Sequence, residues 1–486
     1  MTDSLDCVQT EKQVTETLLA ENAQSQASKN DKSSCNPSVN LARYLLSIAL
    51  GGGFFGMGFA SSIFGLALPT LAENLSKELK DVSPVLIARG AGYLSGSLIM
   101  GFLERKVDIH FLTISALTVM TVGLVLTPVI LNLVVFYVTI ALSRLGMGSY
   151  ETIANVFCLY LWGKKAEPVM QFLHFCFCLG SAITPFVAKP FLNEAQHANS
   201  SVNESYVTLK YIDSSGIPFI SIPYFIFSVF LVVIIIFIAL LRTCKPLSLS
   251  ESQQKNTIKL EGKRFRLGML LFLFTFYFVY VAMEASFSSF LYAFSISSKS
   301  GLGYSKEIGS NLIALSLFSI VVGQFCAIFM SKKFSPTTIL TVDLLGVAVG
   351  AIIMMILPTY SKGAQWIFWI AIAMTGLFRT SIYGTTFLWA ERYITVNGRA
   401  ACTFIIGGAL GEMTLPIPVG QLIASEPLSF LYFHGGFTLS LILLFVAMRK
   451  FASTQGQRLK RDVLGNLSAQ LGQSEDGVSK IESTVT

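Results

Sequence analysis

The sequence predicts an all-α membrane protein with twelve transmembrane helices arranged in two pseudo-symmetric six-helix bundles. Three observations lead to this fold class. Of the 486 residues, 53% are hydrophobic and only 13% are charged, which is too apolar for a water-soluble chain of this length. Apolar runs of roughly 20 residues, enough to cross a bilayer, recur along the middle of the chain. One long polar link divides these runs six and six.

The predicted spans are separated by short polar segments. Their approximate bounds are 43–68, 83–103, 109–128, 131–160, 167–191, 217–241, 267–293, 307–330, 337–358, 364–389, 398–423 and 428–448. This division gives an N-terminal six-helix bundle at 41–242, a cytoplasmic linker at 243–266 and a C-terminal bundle at 267–448. The polar segments 1–40 and 449–486 are rich in Ser, Gln and Asn, and we predict disordered cytoplasmic tails there.

Weak internal similarity indicates that the two bundles are repeats. The segment "GSLIMGFLERK" from Gly96 resembles "GQFCAIFMSKK" from Gly323, at an offset of 227 residues. "GSAITP" from Gly180 likewise matches "GEMTLP" from Gly411 in its glycine and proline, at an offset of 231. Transporters are commonly built from such repeats and bind their substrate between them.

Sidedness follows from the distribution of Lys and Arg. Most of the 35 basic residues fall in segments that are cytoplasmic if both termini are inside the cell, and Arg89 is counted among the few in outer loops. This asymmetry is the positive-inside pattern. The net charge of +7 is therefore explained by orientation against an anionic inner leaflet, so no nucleic-acid partner is expected. We expect a multi-pass protein of the plasma membrane with cytoplasmic termini.

Glycosylation sequons and cysteines fit this topology. Asn74, Asn199 and Asn203 begin Asn-x-Ser sequons in predicted outer loops, where they would be glycosylated. None of the eight cysteines falls in a predicted outer loop, so we expect no structural disulfide.

The fourth span carries a polar stripe through an apolar helix. At about 100° per residue, Arg144, Gly148, Glu151 and Asn155 return to nearly the same side. Further polar residues lie within the other spans, namely Gln171, His174, Glu284, Gln324, Arg379 and Glu412. A charged side chain at the centre of a bilayer costs roughly 2.5–3.5 kcal/mol, so these groups must point into the bundle.

Two interpretations of these residues remain open. Glu151 and Asn155 could line a path for substrate or ions, or Arg144 and Glu151 could pair and lock the N-terminal half. Glu284 and Glu412 could instead reach the interface from near helix ends, and His174 could be a packed histidine. The charges of Arg144, Glu151, Glu284, Arg379 and Glu412 leave one negative charge uncompensated, which either Na⁺ or H⁺ could balance as a coupling ion. No resident cofactor or metal is expected.

Motifs of common enzymes are missing from the sequence. We find no His-Glu-x-x-His, no Gly-x-Ser-x-Gly and no phosphate-binding Gly-x-x-x-x-Gly-Lys-Ser/Thr, so no catalytic residues are assigned. The open functions are a cation-coupled symporter, a differently coupled or facilitative carrier, and a transporter-like receptor that does not transport.

The linked motifs "SYETIANVFCLYLW" and "PVMQFLHFCFCLGSAITPFVAKPFL" resemble the major facilitator superfamily, and within it the sodium-dependent glucose transporter branch with its likeness to fucose permeases. Further resemblance lies in "YVAMEASFSSFLYAF" at 280–294 and "GGALGEMTLPIPVG" at 407–420. It covers roughly residues 40–450. One departure stands in the first span, where Gly65 occupies the place of an acidic residue in fucose permeases.

The resemblance implies an alternating-access transporter for a small molecule, a sugar, coupled in many relatives to a cation. It implies that Glu151 is the coupling or sugar-binding carboxylate. It further implies that Asn155 and Gln171 form hydrogen bonds with the sugar. We separately expect the protein to be a monomer.

Overall fold

The computed structural model of the protein describes residues 37–77, 85–191, 219–244, 262–297, 302–356 and 365–454. All regular structure in these ranges is helical, which confirms the predicted fold class. The tails and the linker lie largely outside the described residues, so their predicted disorder stays a prediction. The first helix begins at Pro37 and the last continues to Thr454, so both extend somewhat into segments predicted as tails.

Six helices make up the N-terminal half. They are α1 (Pro37–Asn74), α2 (Val85–Leu103), α3 (Ile109–Leu126), α4 (Leu133–Trp162), α5 (Ala166–Ala188) and α6 (Ser221–Cys244). The C-terminal half contains α7 (Lys263–Ile296), α8 (Lys306–Lys333), α9 (Pro336–Ile356), α10a (Gln365–Arg379), α10b (Ile382–Glu391), α11a (Gly398–Thr414), α11b (Pro416–Ser425) and α12 (Ser429–Thr454).

Eleven helical spans among the described residues are long and apolar enough to cross a membrane. The helix at the second predicted span, α2, is not one of the eleven; it carries Arg89. Counting Arg89 with the outer loops was wrong, because it lies in the second turn of this helix. Its guanidinium carbon lies 4.6 Å from the ring centroid of Phe64 in α1, and this cation–π contact lets the charge sit within the helix bundle.

The glycines of the proposed repeats make equivalent contacts in the two halves. A β-carbon at Gly96 in α2 would lie 2.0 Å from the carbonyl oxygen of Leu145 in α4. At Gly323 in α8 it would lie 2.1 Å from that of Leu377 in α10a. Only glycine permits such an approach of two helix backbones. Helix pair α2/α4 is thus repeated as α8/α10.

The second glycine pair shows the same correspondence. A β-carbon at Gly180 in α5 would lie 2.1 Å from the carbonyl oxygen of Phe55 in α1, and at Gly411 in α11a it would lie 2.1 Å from that of Phe278 in α7. The pair α1/α5 is therefore repeated as α7/α11. Both sequence offsets match structurally equivalent positions, as expected of two pseudo-symmetric bundles.

Two helix pairs make the most extensive contacts between the halves among the described residues. Helix α5 packs against α8, and α2 packs against α11a. Close approaches of α2 to α11a occur near both ends of α2, at Gly101 beside Cys402 and at Gly90 beside Met413. The two helices are therefore in contact along most of their length.

Two spans of the C-terminal half are interrupted. Helix α11 breaks at Leu415, directly before Pro416, whose ring cannot continue the helical hydrogen bonds. Helix α10 breaks at Thr380 and Ser381, where there is neither proline nor glycine. The cause of that second break lies in the side chains around it, which belong to the candidate site.

Candidate functional site

Glu151 lies on the part of α4 that faces the C-terminal half. Its side chain is only 6% exposed. The hydroxyl of Tyr383 in α10b is close enough to interact with its carboxylate. Glu151 therefore contacts the opposite half of the molecule, as the path interpretation requires, and it is turned away from lipid.

Tyr383 is the centre of an aromatic cluster formed by both halves. Its ring meets that of Tyr277 in α7 at 4.8 Å, edge to face, and that of His174 in α5 at 5.3 Å. The hydroxyl of Tyr277 donates a 2.8 Å hydrogen bond to the backbone carbonyl of Tyr383. Phe54 in α1 contacts the other side of His174, with ring centroids 5.4 Å apart. Ring and backbone contacts together fix the hydroxyl that faces Glu151.

His174 packs into this cluster, and its imidazole is not fully satisfied. Its Nε2 atom is buried and has no hydrogen-bond partner among the described residues. A β-carbon at Gly384 would lie 2.9 Å from Cδ2 of His174, so the glycine lets α10b approach the ring closely. The packed and functional interpretations of His174 are thus compatible.

Gln171 and Gln324 form an amide bridge between the halves. Nε2 of Gln324 in α8 donates to Oε1 of Gln171 in α5 at 2.7 Å, and to its backbone carbonyl at 3.1 Å. Nε2 of Gln171 donates to the hydroxyl of Thr385 in α10b at 2.9 Å, while the hydroxyl of Thr380 donates to Oε1 of Gln324 at 2.9 Å. Both glutamines are completely buried. Every one of these bonds except the last crosses from one half to the other.

Asn155 lies one helical turn from Glu151 and is completely buried. Neither its amide nitrogen nor its amide oxygen has a hydrogen-bond partner among the described residues. Leaving such a group unpaired costs about 1–3 kcal/mol, so a structural role alone does not explain it. Thr386 and Trp389, in α10b on the opposite half, also have buried polar atoms without a described partner. A ligand with several hydroxyl groups could satisfy donors and acceptors of this kind.

The break of α10 is held by polar side chains from α7 and α9. The hydroxyl of Tyr280 donates to the backbone carbonyl of Arg379 at 2.9 Å. The hydroxyl of Ser381 donates a short hydrogen bond to the carboxylate of Asp343 in α9. The Tyr280 bond satisfies a backbone carbonyl where the chain leaves α10a, and the Asp343 bond holds the residue that follows, which explains a break without proline or glycine. Asp343 was not predicted as a site residue, although an aspartate within the ninth predicted span was a signal for it.

Arg379 ends α10a and is 1% exposed. Its guanidinium carbon lies 4.7 Å from the ring centroid of Phe287. The same ring contacts His434 in α12 at 4.8 Å. Arg379 and Glu284 are close enough to Tyr280 and Cys178 for electrostatic interaction with both. Glu284 thus belongs to a polar cluster with Arg379, which goes against its interpretation as an interfacial glutamate.

His434 is a second residue that the sequence analysis missed. It is 3% exposed, and neither ring nitrogen has a hydrogen-bond partner among the described residues. It lies in the last span outside the family motifs, and no repeating pattern of polar residues marks it.

The alternative in which Arg144 pairs with Glu151 is not observed. Seven residues separate them, about 10 Å along a helix, and no ion pair in the described part of the chain joins them. Arg144 instead interacts electrostatically with Arg89, with Glu412 of the C-terminal half and with Tyr224. Glu412 is exposed, as expected of a glutamate near an interface.

The described residues contain no group of three or more His, Cys, Asp or Glu side chains arranged to hold a metal ion. Of the predicted glycosylation sites, Asn199 and Asn203 lie outside the described residues. Asn74 ends α1, and its side-chain nitrogen, the atom that would carry a glycan, is buried.

Near the predicted cytoplasmic ends, the halves are joined by charged groups. Nη2 of Arg392 lies 2.9 Å from Oε1 of Glu167. The hydroxyl of Tyr160 donates to the carboxylate of Glu104, which also packs against Gly398 at the start of α11a. These contacts close the interface on that side of the glutamine bridge.

Comparison with known sequences places the chain among transport proteins. The sequence model of the Major Facilitator Superfamily matches residues 50–416. Sodium-dependent glucose transporter 1 of Danio rerio is 29% identical over 78% of this chain, and the match spans 65% of that relative, just under two thirds of its length. The protein of the same name from Homo sapiens is 27% identical, with 84% of this chain and 80% of the relative covered.

Solved structures share the fold. The outward conformation of FucP, a Major Facilitator Superfamily transporter, superposes with a TM-score of 0.66 at 16% identity, covering 84% of this chain and 99% of that chain. The proton:xylose symporter XylE, bound to 6-bromo-6-deoxy-D-glucose, gives a TM-score of 0.63 at 12% identity, covering 85% and 96%. At these identities the likeness concerns the arrangement of the helices.

Proposed function

Because this chain belongs to the Major Facilitator Superfamily, we propose that it is a secondary active transporter that carries a hexose between its two halves by alternating access, coupled to Na⁺. Glu151 is the coupling carboxylate in this proposal. Asn155, Gln171 and Gln324 supply hydrogen bonds to the sugar, and the rings of Tyr277 and Tyr383 supply apolar faces.

The observation that carries the proposal is the contact between Glu151 and Tyr383. A buried carboxylate of one half meets, at the interface, a hydroxyl of the other half. No basic residue in the described part of the chain forms an ion pair with this carboxylate. A cation bound beside Glu151 would supply the missing charge and change how tightly the halves hold together.

Sugar as the substrate is supported by the chemistry around this contact. Sugars present hydroxyl groups at their edges and flatter apolar faces, so their sites combine amides with aromatic rings. The unpartnered amide of Asn155 and the aromatic cluster around Tyr383 provide both. Relatives named as sodium-dependent glucose transporters support a hexose and support Na⁺.

The glutamine bridge gives the sugar a means of acting on the conformation. The amide of Gln324 donates its hydrogen bonds to Gln171 across the interface. A sugar hydroxyl that replaces one of these bonds would favour separation of α5 from α8. A ligand shifts a conformational equilibrium only through such differential contacts.

Proton coupling is the second candidate. Solved neighbours include proton symporters for fucose and xylose. A buried carboxylate without a basic partner can take up H⁺ in place of Na⁺. The same site residues would serve a carrier coupled to H⁺ or to Na⁺. The Na⁺ and pH gradients must therefore be imposed separately in the experiment.

The test is uptake of a labelled hexose panel by the purified protein in proteoliposomes, with Na⁺ and pH gradients imposed separately. The proposal expects accumulation driven by the Na⁺ gradient and lost in Glu151→Gln. Glu307→Gln, at an exposed position in the first turn of α8, is the matched control and should keep full uptake. Accumulation driven by the pH gradient alone would select H⁺. Counterflow without any effect of either gradient would indicate a facilitative carrier.

A receptor is distinguished in the same vesicles. It would bind a sugar saturably and show no counterflow. A plasma-membrane location, cytoplasmic termini, glycosylation at Asn199 and Asn203 and a monomeric state belong to this proposal as well.

A further inference from the structure

Two arginines of the N-terminal half come together on the outer side of the Glu151 contact. Arg89 of α2 and Arg144 of α4 are close enough to interact electrostatically with each other. Both also interact with Glu412 of α11a and with Tyr224 of α6. We call these four residues the arginine cluster. None of its members contacts the glutamine bridge.

Packing contacts of α2 with α4 and α11a bring the members of the cluster near one another. Gly90, next to Arg89, packs against Met413, next to Glu412. Gly96 of α2 packs against the carbonyl of Leu145, next to Arg144. Arg144 therefore lies one to two helical turns from the level of Arg89 and Glu412, within reach of long side chains.

Hydrogen-bond donors in the cluster exceed its acceptors. Arg144 is 8% exposed, and its Nη2 has no hydrogen-bond partner among the described residues. The hydroxyl of Tyr224, which is 1% exposed, also has none. The face of Arg89 is occupied by the Phe64 ring, which leaves the edge with its N–H groups available. Among the described residues, Glu412 is the single carboxylate that interacts with the two arginines.

Counted over the described residues, the charge of the cluster is likewise unbalanced. Two guanidinium groups are fully charged at any physiological pH, and one carboxylate neutralises only one of them. Two like charges near each other in a membrane repel strongly unless a counterion lies between them. Glu412 belongs to the C-terminal half and the arginines to the N-terminal half, so the alternating access proposed above would separate this counterion from them.

We propose that the arginine cluster is a binding site for a small inorganic anion of the size and charge of chloride. Arg144, Arg89 and the hydroxyl of Tyr224 donate hydrogen bonds to the anion. Glu412 competes with it as a counterion for the arginines. The anion therefore stabilises the arrangement in which Glu412 has withdrawn, and Glu412 stabilises the closed one.

The test measures anion binding on the purified full-length protein, without transport. The midpoint of thermal unfolding is followed while chloride replaces a bulky sulfonate at constant sodium concentration. Saturable stabilisation is expected in the wild type, since a ligand that binds only the folded state raises the midpoint with its concentration. Arg144→Gln should abolish the saturable part and Tyr224→Phe should weaken it.

Glu412→Gln gives a change of the opposite sign, which a general salt effect would not produce. Removing the competing carboxylate should lower the half-saturating chloride concentration by at least about threefold. Arg242→Gln is the control, because Arg242 is an exposed arginine outside the cluster that faces Asp108. It should leave the chloride response unchanged.

Several outcomes would overturn the proposal. One is a chloride response that is absent from the wild type, or identical in Tyr224→Phe and Glu412→Gln; these two variants decide the matter even if Arg144→Gln fails to fold. Another is stabilisation by acetate through the same residues without any by chloride, which would assign the donors to a carboxylate ligand. Because the readout is binding, these results stand whether or not the protein transports a hexose.

Discussion

The hydroxyl of Ser381 donates a hydrogen bond to the buried carboxylate of Asp343, and two residues later the hydroxyl of Tyr383 interacts with the carboxylate of Glu151. Two carboxylates on two different halves thus hold the same short stretch of α10, directly after its break. Ion pairs in the described part of the chain include neither carboxylate. A change in the state of Glu151 is therefore transmitted to a segment whose backbone is already interrupted.

Asp343→Asn should weaken the anchor of the α10 break while keeping the size of the side chain. A hydrogen bond to a charged group contributes about 1.5–3 kcal/mol, so we expect hexose uptake to fall roughly tenfold or more together with a lower unfolding midpoint. Ser381→Ala should reproduce the loss. The double variant should be no worse than the poorer single one, because both changes act on the same bond.

The control for this pair is Ser440→Ala. Ser440 is exposed in α12, and its hydroxyl bonds only to the carbonyl of Gly436 in its own helix. If the losses of uptake in the two single variants add fully in the Asp343/Ser381 double variant, the two side chains act independently. That result would contradict the role of their hydrogen bond as an anchor of the break.

Tyr383→Phe should change how Glu151 binds its cation. The substitution keeps the ring contacts with Tyr277 and His174 and removes the hydroxyl that stabilises the free carboxylate. A cation then no longer competes with this hydroxyl for the carboxylate of Glu151. The half-saturating concentration of the coupling ion should therefore fall by up to about tenfold. Maximal uptake should fall as well, because the ion is released more slowly.

The measurement is initial uptake in proteoliposomes over a range of Na⁺ concentrations and, separately, of pH. Tyr432→Phe, at a position that is 64% exposed in α12, serves as the comparison. Equal half-saturation for wild type and Tyr383→Phe with both ions would separate Tyr383 from coupling.

Much of this architecture could be predicted from the sequence because membrane helices follow strong rules. Apolar length located the spans, and the recurrence of Gly96 at Gly323 identified positions where helix backbones touch in both halves. The polar stripe on α4 correctly placed Glu151 toward the protein interior. Contacts between distant helices follow no such local rule. The hydrogen bond of Gln171 to Gln324 and the assembly of Arg89 with Glu412 depend on how the two halves meet.

Two residues of the site were not predicted from the sequence, for a related reason. Asp343 stands alone in an apolar helix, so no periodic stripe marked it, and its partner Ser381 is visible only when α9 and α10 are packed together. His434 likewise belongs to the site only through the ring of Phe287, which contacts both His434 and Arg379 from another helix.

The ion pair of Glu167 with Arg392 should contribute modestly to closure at the predicted cytoplasmic side. Both groups are partly exposed, and such pairs contribute about 0–1 kcal/mol. Arg392→Glu should therefore open the interface only slightly, seen as an up to about fivefold faster reaction of Cys402 with a maleimide. Cys402 is a natural reporter because it packs against Gly101 between α2 and α11a.

Cys7, Cys35, Cys244 and the exposed Cys326 are replaced by Ser in all samples so that they do not react. The charge exchange Glu167→Arg with Arg392→Glu restores an attractive pair and should return the rate to the starting value. A rate that stays high in the exchanged protein would show that the position of each residue, rather than the attraction between them, limits access.

Two glycines of α1 should respond oppositely to alanine. Nothing lies within 4 Å of a β-carbon placed at Gly65, whereas one at Gly58 would lie 2.0 Å from the carbonyl oxygen of Phe177 in α5. Gly65→Ala should raise the free energy of unfolding by about 0.5–1 kcal/mol, since a helical glycine loses more backbone freedom on folding than alanine. Gly58→Ala must push α1 away from α5 and should lower the free energy of unfolding by about 1–3 kcal/mol, as overpacked positions do. Thermal unfolding in detergent compares the two directly, and equal shifts of the midpoint would contradict the close contact of α1 with α5. Gly65→Ala should also keep its hexose uptake, because the space at this position is open and the acidic residue found there in fucose permeases is already missing from this chain.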